Sequence, residues 1–380
     1  MFDFTFHNPT KIIFGKNTEA QIGDELKKAG IDKVLLVYGR NSIKDSGLHA
    51  RVLASLTANG IEAIEHGGVV SNPVLSHTRA GITLAREHKI AALLAVGGGS
   101  VLDEAKAIAV GALAEDDIWH YFTGKTVTAA LPVFTILTLA ATGSEMNGNS
   151  VITNEATQQK YNIGSPHIYP RVSILNPELT CTVPLDYTAY GAVDAIAHVI
   201  EGYFTGSGAN LQNRLVESII KTVINTTDDI MANPGDYQAR AEFMWAATLA
   251  LNGLTPAGIG AYCFPNHLIE HALSGIYNIP HGAGLSIVIP AWMKWLRPQR
   301  KMKLERFAQQ IFELPAADDG IDALEQWFTS INSPTRLAEV GIPAADIDRI
   351  AANGAGLAAM WGIDNIYPQK IIAEILRLAV

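Results

Sequence analysis

Two cysteines in 380 residues, Cys181 and Cys263, supply no disulfide framework and no zinc-knuckle spacing. No apolar run approaches the roughly 20 residues a membrane span needs; Ile90 to Val96 is typical of the longest. Basic charge is scarce: 28 Lys and Arg stand against 37 Asp and Glu, a formal net charge of -9. An acidic chain repels nucleic acid and anionic lipid, so neither is an expected partner. Charged residues make up only 17% and hydrophobic residues 48%, a globular rather than a disordered composition. Met1-Phe2-Asp3-Phe4 lacks the basic start of a signal peptide, which predicts a cytoplasmic protein. The length exceeds what one compact core serves and predicts two domains.

Residues 11–180 alternate between short β-rich runs and helical patterns. Val34 to Tyr38, Ile61 to His66, Ile90 to Val96 and Val133 to Leu137 read as strands; Leu48 to Asn59, Ser76 to Lys89 and Val101 to Leu113 read as helices. Ser100 is placed to cap the last of these. Strand–helix alternation with β-branched strands predicts a doubly wound parallel sheet over 1–180. Residues 1–15, with Phe2, Phe4 and Phe6 alternating with polar positions, read as an edge hairpin. After Pro184, Ala, Leu and Ile recur at helical spacing, broken at Pro234-Gly235, Pro256, Pro280 and Pro298. Residues 181–380 are therefore expected to form an all-helical domain.

Gly97-Gly98-Gly99-Ser100-Val101-Leu102-Asp103 stands where a strand should hand over to a helix. Bare glycine backbone and the N–H groups of a helix start together make an anion site suited to a pyrophosphate. A tight turn with no ligand has the same sequence, and the run is not G-x-G-x-x-G. A second cluster, Thr138-Leu139-Ala140-Ala141-Thr142-Gly143-Ser144-Glu145, follows another strand and either lines a dinucleotide groove or is ordinary hydroxyl turn chemistry. After the first strand, Gly39-Arg40-Asn41-Ser42-Ile43-Lys44 has no acid before Asp45 to hold a ribose 2′-hydroxyl. Arg40, Ser42 and Lys44 suit a 2′-phosphate, which places NADP ahead of NAD.

Asp194 and His198 lie at i and i+4 in an otherwise apolar helix, so both project from one face. A carboxylate there needs a partner, either the neighbouring imidazole or a metal. His267 and His271 repeat the spacing, and His281 follows a turn. One carboxylate and three imidazoles, Asp194, His198, His267 and His281, make a four-ligand site for Fe2+ or Zn2+. Asp194 and His267 then count as catalytic ligands, with His271 one turn away for proton traffic. Each histidine alone also fits a hydrogen-bonded core position.

Taken in order and at these distances, the motifs resemble the iron-containing (group III) alcohol dehydrogenases, and within them the NADPH-dependent butanol dehydrogenase and aldehyde reductase branch. The resemblance runs from Phe6-His7-Asn8-Pro9-Thr10-Lys11-Ile12-Ile13-Phe14-Gly15 through the glycine turn, the Thr138–Glu145 cluster, Asp194 with His198, and His267 with His271, to His281-Gly282. It implies a dinucleotide-binding domain, a helical metal domain of the dehydroquinate synthase-like plan, and a homodimer or larger assembly. It implies Asp194, His198, His267 and His281 as metal ligands. It implies cofactor contacts at Gly39, Ser42, Asn72, Gly98, Gly99, Ser100, Asp103, Thr138, Thr142, Ser144 and Lys160. The implied reaction is hydride transfer between NADP(H), or NAD(H), and a small alcohol or aldehyde, with the metal polarising the substrate oxygen. Met146, Asn147, Phe264 and Trp361 are expected to line the pocket. Ala140 and Met146 depart from the Pro and Ser common in that branch, and Arg40-Asn41 interrupts the glycine run that NADP-preferring relatives tend to carry. A glycerol dehydrogenase- or dehydroquinate synthase-like enzyme is one rival. The synthase would need clustered cations, and Arg214, Lys221 and Arg240 form no motif. A nucleotide-binding relative without chemistry is the other, and it would be expected to have lost part of the ligand set.

Overall fold

The computed structural model describes residues 1–380, which form two compact units, His7–Val183 and Pro184–Val380, the latter joined by Met1–Phe6. In the first unit the strands are β1 (Lys11–Phe14), β2 (Lys33–Tyr38), β3 (Glu62–Gly67), β4 (Ala92–Gly97), β5 (Val133–Leu137), β6 (Asn149–Asn154), β7 (Gln159–Gly164) and β8 (Val172–Leu175). Its helices are α1 (Ile22–Lys28), α2 (Ser42–Asp45), α3 (Leu48–Ala58), α4 (Leu75–Glu87), α5 (Gly99–Leu113) and α6 (Trp119–Phe122). Six strands form one parallel sheet in the order β1-β8-β5-β4-β2-β3, and β6 and β7 form a separate antiparallel pair.

Both faces of the sheet are covered, which is why its central strands are apolar throughout rather than alternating. Val34, Leu36 and Tyr38 of β2 and Leu94 and Val96 of β4 pack with Ile22 and Leu26 of α1 and Val52 and Leu56 of α3. Their neighbours Leu35, Val37, Leu93 and Ala95 are equally buried on the opposite face, where α5 packs against β4 and α4. Strand order reverses between β2 and β4, since β3 lies outside β2 whereas β5 and β8 continue beyond β4. The crevice at the carboxyl ends of two such strands is where open α/β sheets bind ligands. Here it is flanked by Gly39, directly after β2, and Gly98, directly after β4.

The second unit is helical: α7 (Leu185–Thr205), α8 (Asn210–Ala232), α9 (Tyr237–Ala250), α10 (Pro265–Tyr277), α11 (His281–Phe307), α12 (Ala317–Ser330), α13 (Ile347–Met360) and α14 (Gln369–Arg377). Pro265 opens α10, at the position where a missing N–H removes no helix bond. The break expected at Pro298 falls two residues later: Arg300 leaves the helical region at φ -128°, ψ 28°, and the helix resumes. No helix is long and apolar enough to cross a membrane.

Two local expectations are corrected. Residues 1–15 do not form a hairpin. Only Lys11–Phe14 is a strand, paired in parallel with β8, and Met1–Phe6 pack on the helical unit, where Phe2 N donates to the Gly258 carbonyl at 2.9 Å. Alternation marks a strand but does not name its partner. Ser100 does not cap α5: the helix begins at Gly99, Gly98 is the cap residue, and Ser100 lies inside the first turn.

Candidate metal centre and dinucleotide turn

In the helical unit, α7 carries Asp194, His198 and Glu201 on one face, seven residues being two turns. All three are buried. Asp194 Oδ1 lies 3.4 Å from His198 Nε2, 3.5 Å from His267 Nε2 and 3.5 Å from His281 Nε2. Asp194, His267 and His281 each present a donor atom within 4.8 Å of the other two. Asp194 Oδ1 and His267 Nε2 are buried without a hydrogen-bond partner. Two ligands of a tetrahedral ion, each about 2.1 Å from it, sit about 3.4 Å apart. The spacing therefore suits ligands around a common cation, and the donor set of one carboxylate and three imidazoles fits iron or zinc.

The opposite edges of two of these rings are backed by carboxylates. Glu201 Oε2 lies 2.5 Å from His267 Nδ1, while Oε1 accepts from the backbone N–H of Asn266 and, at 3.1 Å, of His267. Glu270 accepts from His281 Nδ1 and from the Ser274 hydroxyl. A carboxylate on Nδ1 keeps the proton there and turns the Nε2 lone pair outward. Glu201 and Glu270 were not singled out from the sequence. Glu201 could have been, because an acid two turns from Asp194 in an apolar helix raises the same question that Asp194 raises.

Glycines bring the helices close enough. A Cβ on Gly282 would fall 2.1 Å from the Tyr190 carbonyl of α7, and one on Gly284 would fall 2.7 Å from Glu270 Cγ. The start of α11, and His281 with it, can approach α7 and α10 only because Gly282 and Gly284 are bare.

Charge in the cluster is strongly biased. Burial raises the Asp194 carboxyl, but the imidazoles of His198, His281 and His267 outweigh it and hold the group well below the usual carboxylate range. Burial lowers His198 to about 3 against the opposing pull of Asp194, so this ring is neutral at pH 7. Burial also opposes charge on His267, but Glu201 and Asp194 raise it to about 10 in the metal-free state. His271, on α10 one turn beyond His267, has its ring centroid 5.7 Å from that of His281. Phe264 lies edge-on to His267 at 5.6 Å and Trp361 edge-on to His271 at 6.1 Å, which gives the cluster aromatic neighbours.

In the sheet unit, the glycines of the β4–α5 turn serve protein packing first. A Cβ on Gly97 would strike Val101 at 2.5 Å, on Gly98 would press Leu139 at 3.1 Å, and on Gly99 would strike Thr142 at 2.3 Å. The turn is thus locked against the segment after β5, where Thr138 N donates to the Gly97 carbonyl at 3.0 Å. Ser42 opens the short helix α2 beyond Gly39. Asn72, in the left-handed region at φ 54°, accepts from Lys160 Nζ at 3.0 Å. Asp103 uses one oxygen on the Ser144 hydroxyl at 2.6 Å and the other on Val151 N at 2.9 Å. Sequence reading passed over Lys106, whose buried ammonium donates to the carbonyls of Ser144, Asn147 and Asn149 at 2.7–2.9 Å. It staples the loop after β5 to α5. Asn147 bonds to the carbonyl of Gly143 within this loop, and the Met146 carbonyl accepts from Asn8 Nδ2. Of the cations considered for a phosphorylated substrate, Arg240 is buried and donates to Thr188 and to the Pro234 carbonyl, a structural role.

Comparison with known proteins agrees with this architecture. Residues 9–177 match the family described as iron-containing alcohol dehydrogenase, and residues 188–378 match the C-terminal region of the Fe-containing alcohol dehydrogenase family. The chain is 42% identical to the probable NADH-dependent butanol dehydrogenase 1 of Bacillus subtilis, over 93% of this chain and 95% of that protein. It is 36% identical to the NADPH-dependent aldehyde reductase YqhD of Escherichia coli, over 91% of each. The crystal structure of NADH-dependent butanol dehydrogenase A from Thermotoga maritima superposes with a TM-score of 0.98 at 45% identity, covering 100% of this chain and 99% of that one. The chain therefore belongs to the iron-containing alcohol dehydrogenase family, and it is an alcohol and aldehyde oxidoreductase that works with NAD(P) and a divalent metal.

Proposed function

We propose that Asp194, His198, His267 and His281 together hold one divalent cation, and that the enzyme reduces small aliphatic aldehydes, and oxidises the matching alcohols, with NADP(H) in preference to NAD(H). The convergence of three imidazole nitrogens on one orphaned carboxylate oxygen at 3.4–3.5 Å carries the reading. When bound, the ion supplies Lewis acidity to the substrate oxygen and the nicotinamide carries the hydride. The residues do the rest. Three neutral imidazoles and one carboxylate leave a formal +1 on a divalent centre, which favours a developing negative oxygen. Glu201 and Glu270 fix the ring orientation and tautomer of His267 and His281. His271 moves the proton. Phe264 and Trp361 make the surroundings apolar, suited to a short alkyl chain. The ion is Fe2+ or Zn2+: the family description names iron, and zinc is the tighter-binding competitor.

On the cofactor side, Gly98, Gly99 and Ser100 present the start of α5 to the pyrophosphate. Gly39, Ser42, Asn72, Thr138, Thr142 and Lys160 border it, while Asp103 and Ser144 hold the loop in place. Arg40 is exposed next to Gly39, and no acid stands before Asp45, which supports a 2′-phosphate. The relatives with NADH in their names make this preference the point to measure. The working form is a cytoplasmic homodimer or larger assembly, a reading supported by the exposed Phe2, Phe4 and Phe6. The decisive experiment is His267→Ala, read by metal content and aldehyde-dependent NADPH oxidation together. Loss of both is expected; full metal occupancy with unchanged turnover rejects the ligand set.

A further inference from the structure

The sheet unit contains a second group of metal-ligating side chains that the reaction above does not use. His66 stands near the end of β3, His77 in the first turn of α4, and Glu104 in the second turn of α5. Glu104 Oε1 lies 3.1 Å from His66 Nε2 and 2.6 Å from His77 Nδ1. The two imidazoles stack, with centroids 4.2 Å apart and planes at 28°. Both rings therefore aim a nitrogen at one carboxylate, and the three donor atoms lie within 4.8 Å of one another.

One observation separates this group from an ordinary buried hydrogen-bond cluster. Glu104 is 0% exposed and forms ion pairs only with these histidines, and its second oxygen, Oε2, is buried with no hydrogen-bond partner. A buried carboxylate with one bare oxygen is costly, and Glu104 raises His77 through their hydrogen bond, the pull that it would equally exert on a cation. Gly81 of α4 packs closely on His66, where a Cβ would come within 2.9 Å of Nε2 and 2.4 Å of Ile108 Cδ1, so the ring is held in place against α4.

We propose that His66, His77 and Glu104 form a second metal site, which binds a divalent transition-metal ion of the zinc class. Two imidazoles and a carboxylate match the donor preference of zinc, cobalt, nickel and copper rather than that of magnesium or calcium. The His77 side chain is 28% exposed whereas Glu104 and His66 are enclosed, so the ion enters along His77 and a water completes its shell there. Such an ion ties β3, α4 and α5 together, and α5 begins at the glycine turn. The predicted consequence is a stiffer sheet unit, not a second reaction.

The test is a count of bound metal. The full-length protein is dialysed against buffered Zn2+ and, separately, Co2+, and metal per chain is measured by mass spectrometry of the ash, with the cobalt d–d spectrum as a second readout. Two equivalents are expected for the wild type. Glu104→Gln, which keeps the shape, and His77→Ala, at a partly exposed position, should each lose one equivalent and the matching part of the cobalt spectrum. Asp194→Ala/His267→Ala should lose the other equivalent and keep this one, so failure of the catalytic site reads out separately. His88→Ala, an exposed histidine just beyond α4, serves as the control for adventitious surface binding. A single equivalent in the wild type, or two equivalents retained in both His77→Ala and Glu104→Gln, overturns the proposal and leaves the cluster holding a proton instead.

Discussion

Glu201→Gln isolates the contribution of a residue that touches no ion. In the wild type, Glu201 accepts from His267 Nδ1 through Oε2 and from the backbone N–H groups of Asn266 and His267 through Oε1. Glutamine has one oxygen for these two tasks. If the oxygen stays on the imidazole, the amide NH2 faces two backbone donors and those bonds are lost. If it turns to the backbone, the NH2 faces Nδ1, which must then accept, and the ring proton moves to Nε2, the nitrogen that converges on Asp194. Either outcome penalises metal binding; the second removes a ligand. Loss of such an outer carboxylate weakens metal affinity by about 10–100-fold, or about 1.4–2.7 kcal/mol. The forced tautomer puts Glu201→Gln at the upper end, near 100-fold. The assay is metal affinity by competition with a chromophoric chelator, run beside a urea melt of the metal-free protein. Because the change removes a buried charge, the metal-free fold should lose much less stability than the affinity loss would suggest. An affinity within threefold of wild type would refute the reasoning that Glu201 sets the tautomer of His267.

Three further outcomes follow from the same geometry. Burial lowers the Lys106 ammonium to about 8, against the opposing pull of Asp103 and Glu145, from 10.5 when solvated. Between pH 8 and 10.5 the unfolded chain keeps a proton that the folded chain has released, so the stability of wild type relative to Lys106→Met should rise with pH across that window. At pH 7 the variant should be less stable by about 3 kcal/mol, since it leaves buried carbonyls and Asp103 without their cation; paired denaturant melts at pH 7 and pH 9.5 check both. Gly282→Ala drives a methyl into the Tyr190 backbone, which cannot yield as a side-chain tip can. It should cost about 1–3 kcal/mol of stability and weaken metal binding, whereas Gly341→Ala, where a Cβ meets nothing, should leave metal binding alone. Arg40→Ala should lower kcat/KM for NADPH about tenfold, as expected for loss of one charge-assisted bond, while leaving that for NADH nearly unchanged; equal losses with both would remove Arg40 from the 2′-phosphate.

What could be read from the sequence was mostly short-range. Val34 to Tyr38 and Val133 to Leu137 announce buried strands because a strand covered on both faces has no reason to alternate. Asp194 with His198 announces a shared face because i and i+4 are adjacent on any helix. What could not be read was pairing across long separations. Nothing local says that Lys11–Phe14 lies beside Val172–Leu175 rather than folding back on Phe2–Phe6. Nothing near His66 names Glu104, 38 positions on, as its partner. The glycine turn shows a subtler limit. Its bareness suits a phosphate or a ligand-free tight turn alike, and Cβ atoms at Gly97 and Gly99 would collide first with Val101 and Thr142. The glycines are legible as necessary, but for Gly98 and Gly99 the reason lies in Leu139 and Thr142, far along the chain.

The polar core of the helical unit makes sense only as a set. Asp194, Glu201 and Glu270 are each at most 2% exposed, and each is paired with one or more of the histidines. Three carboxylates in one dry interior would oppose folding by several kcal/mol each if left without cations. Protonating His267, as Glu201 and Asp194 drive it to do in the metal-free state, answers part of that charge. A divalent ion answers more, and it does so at the one point where Asp194 and three Nε2 atoms already converge. The same ion gives Glu201 and Glu270 a reason to lie behind the rings rather than toward solvent, because each then holds an imidazole proton on the far side from the charge. Binding energy and folding energy at this centre are therefore the same quantity, and the arrangement that makes the metal-free interior unfavourable is the one that makes it selective for a cation over a proton.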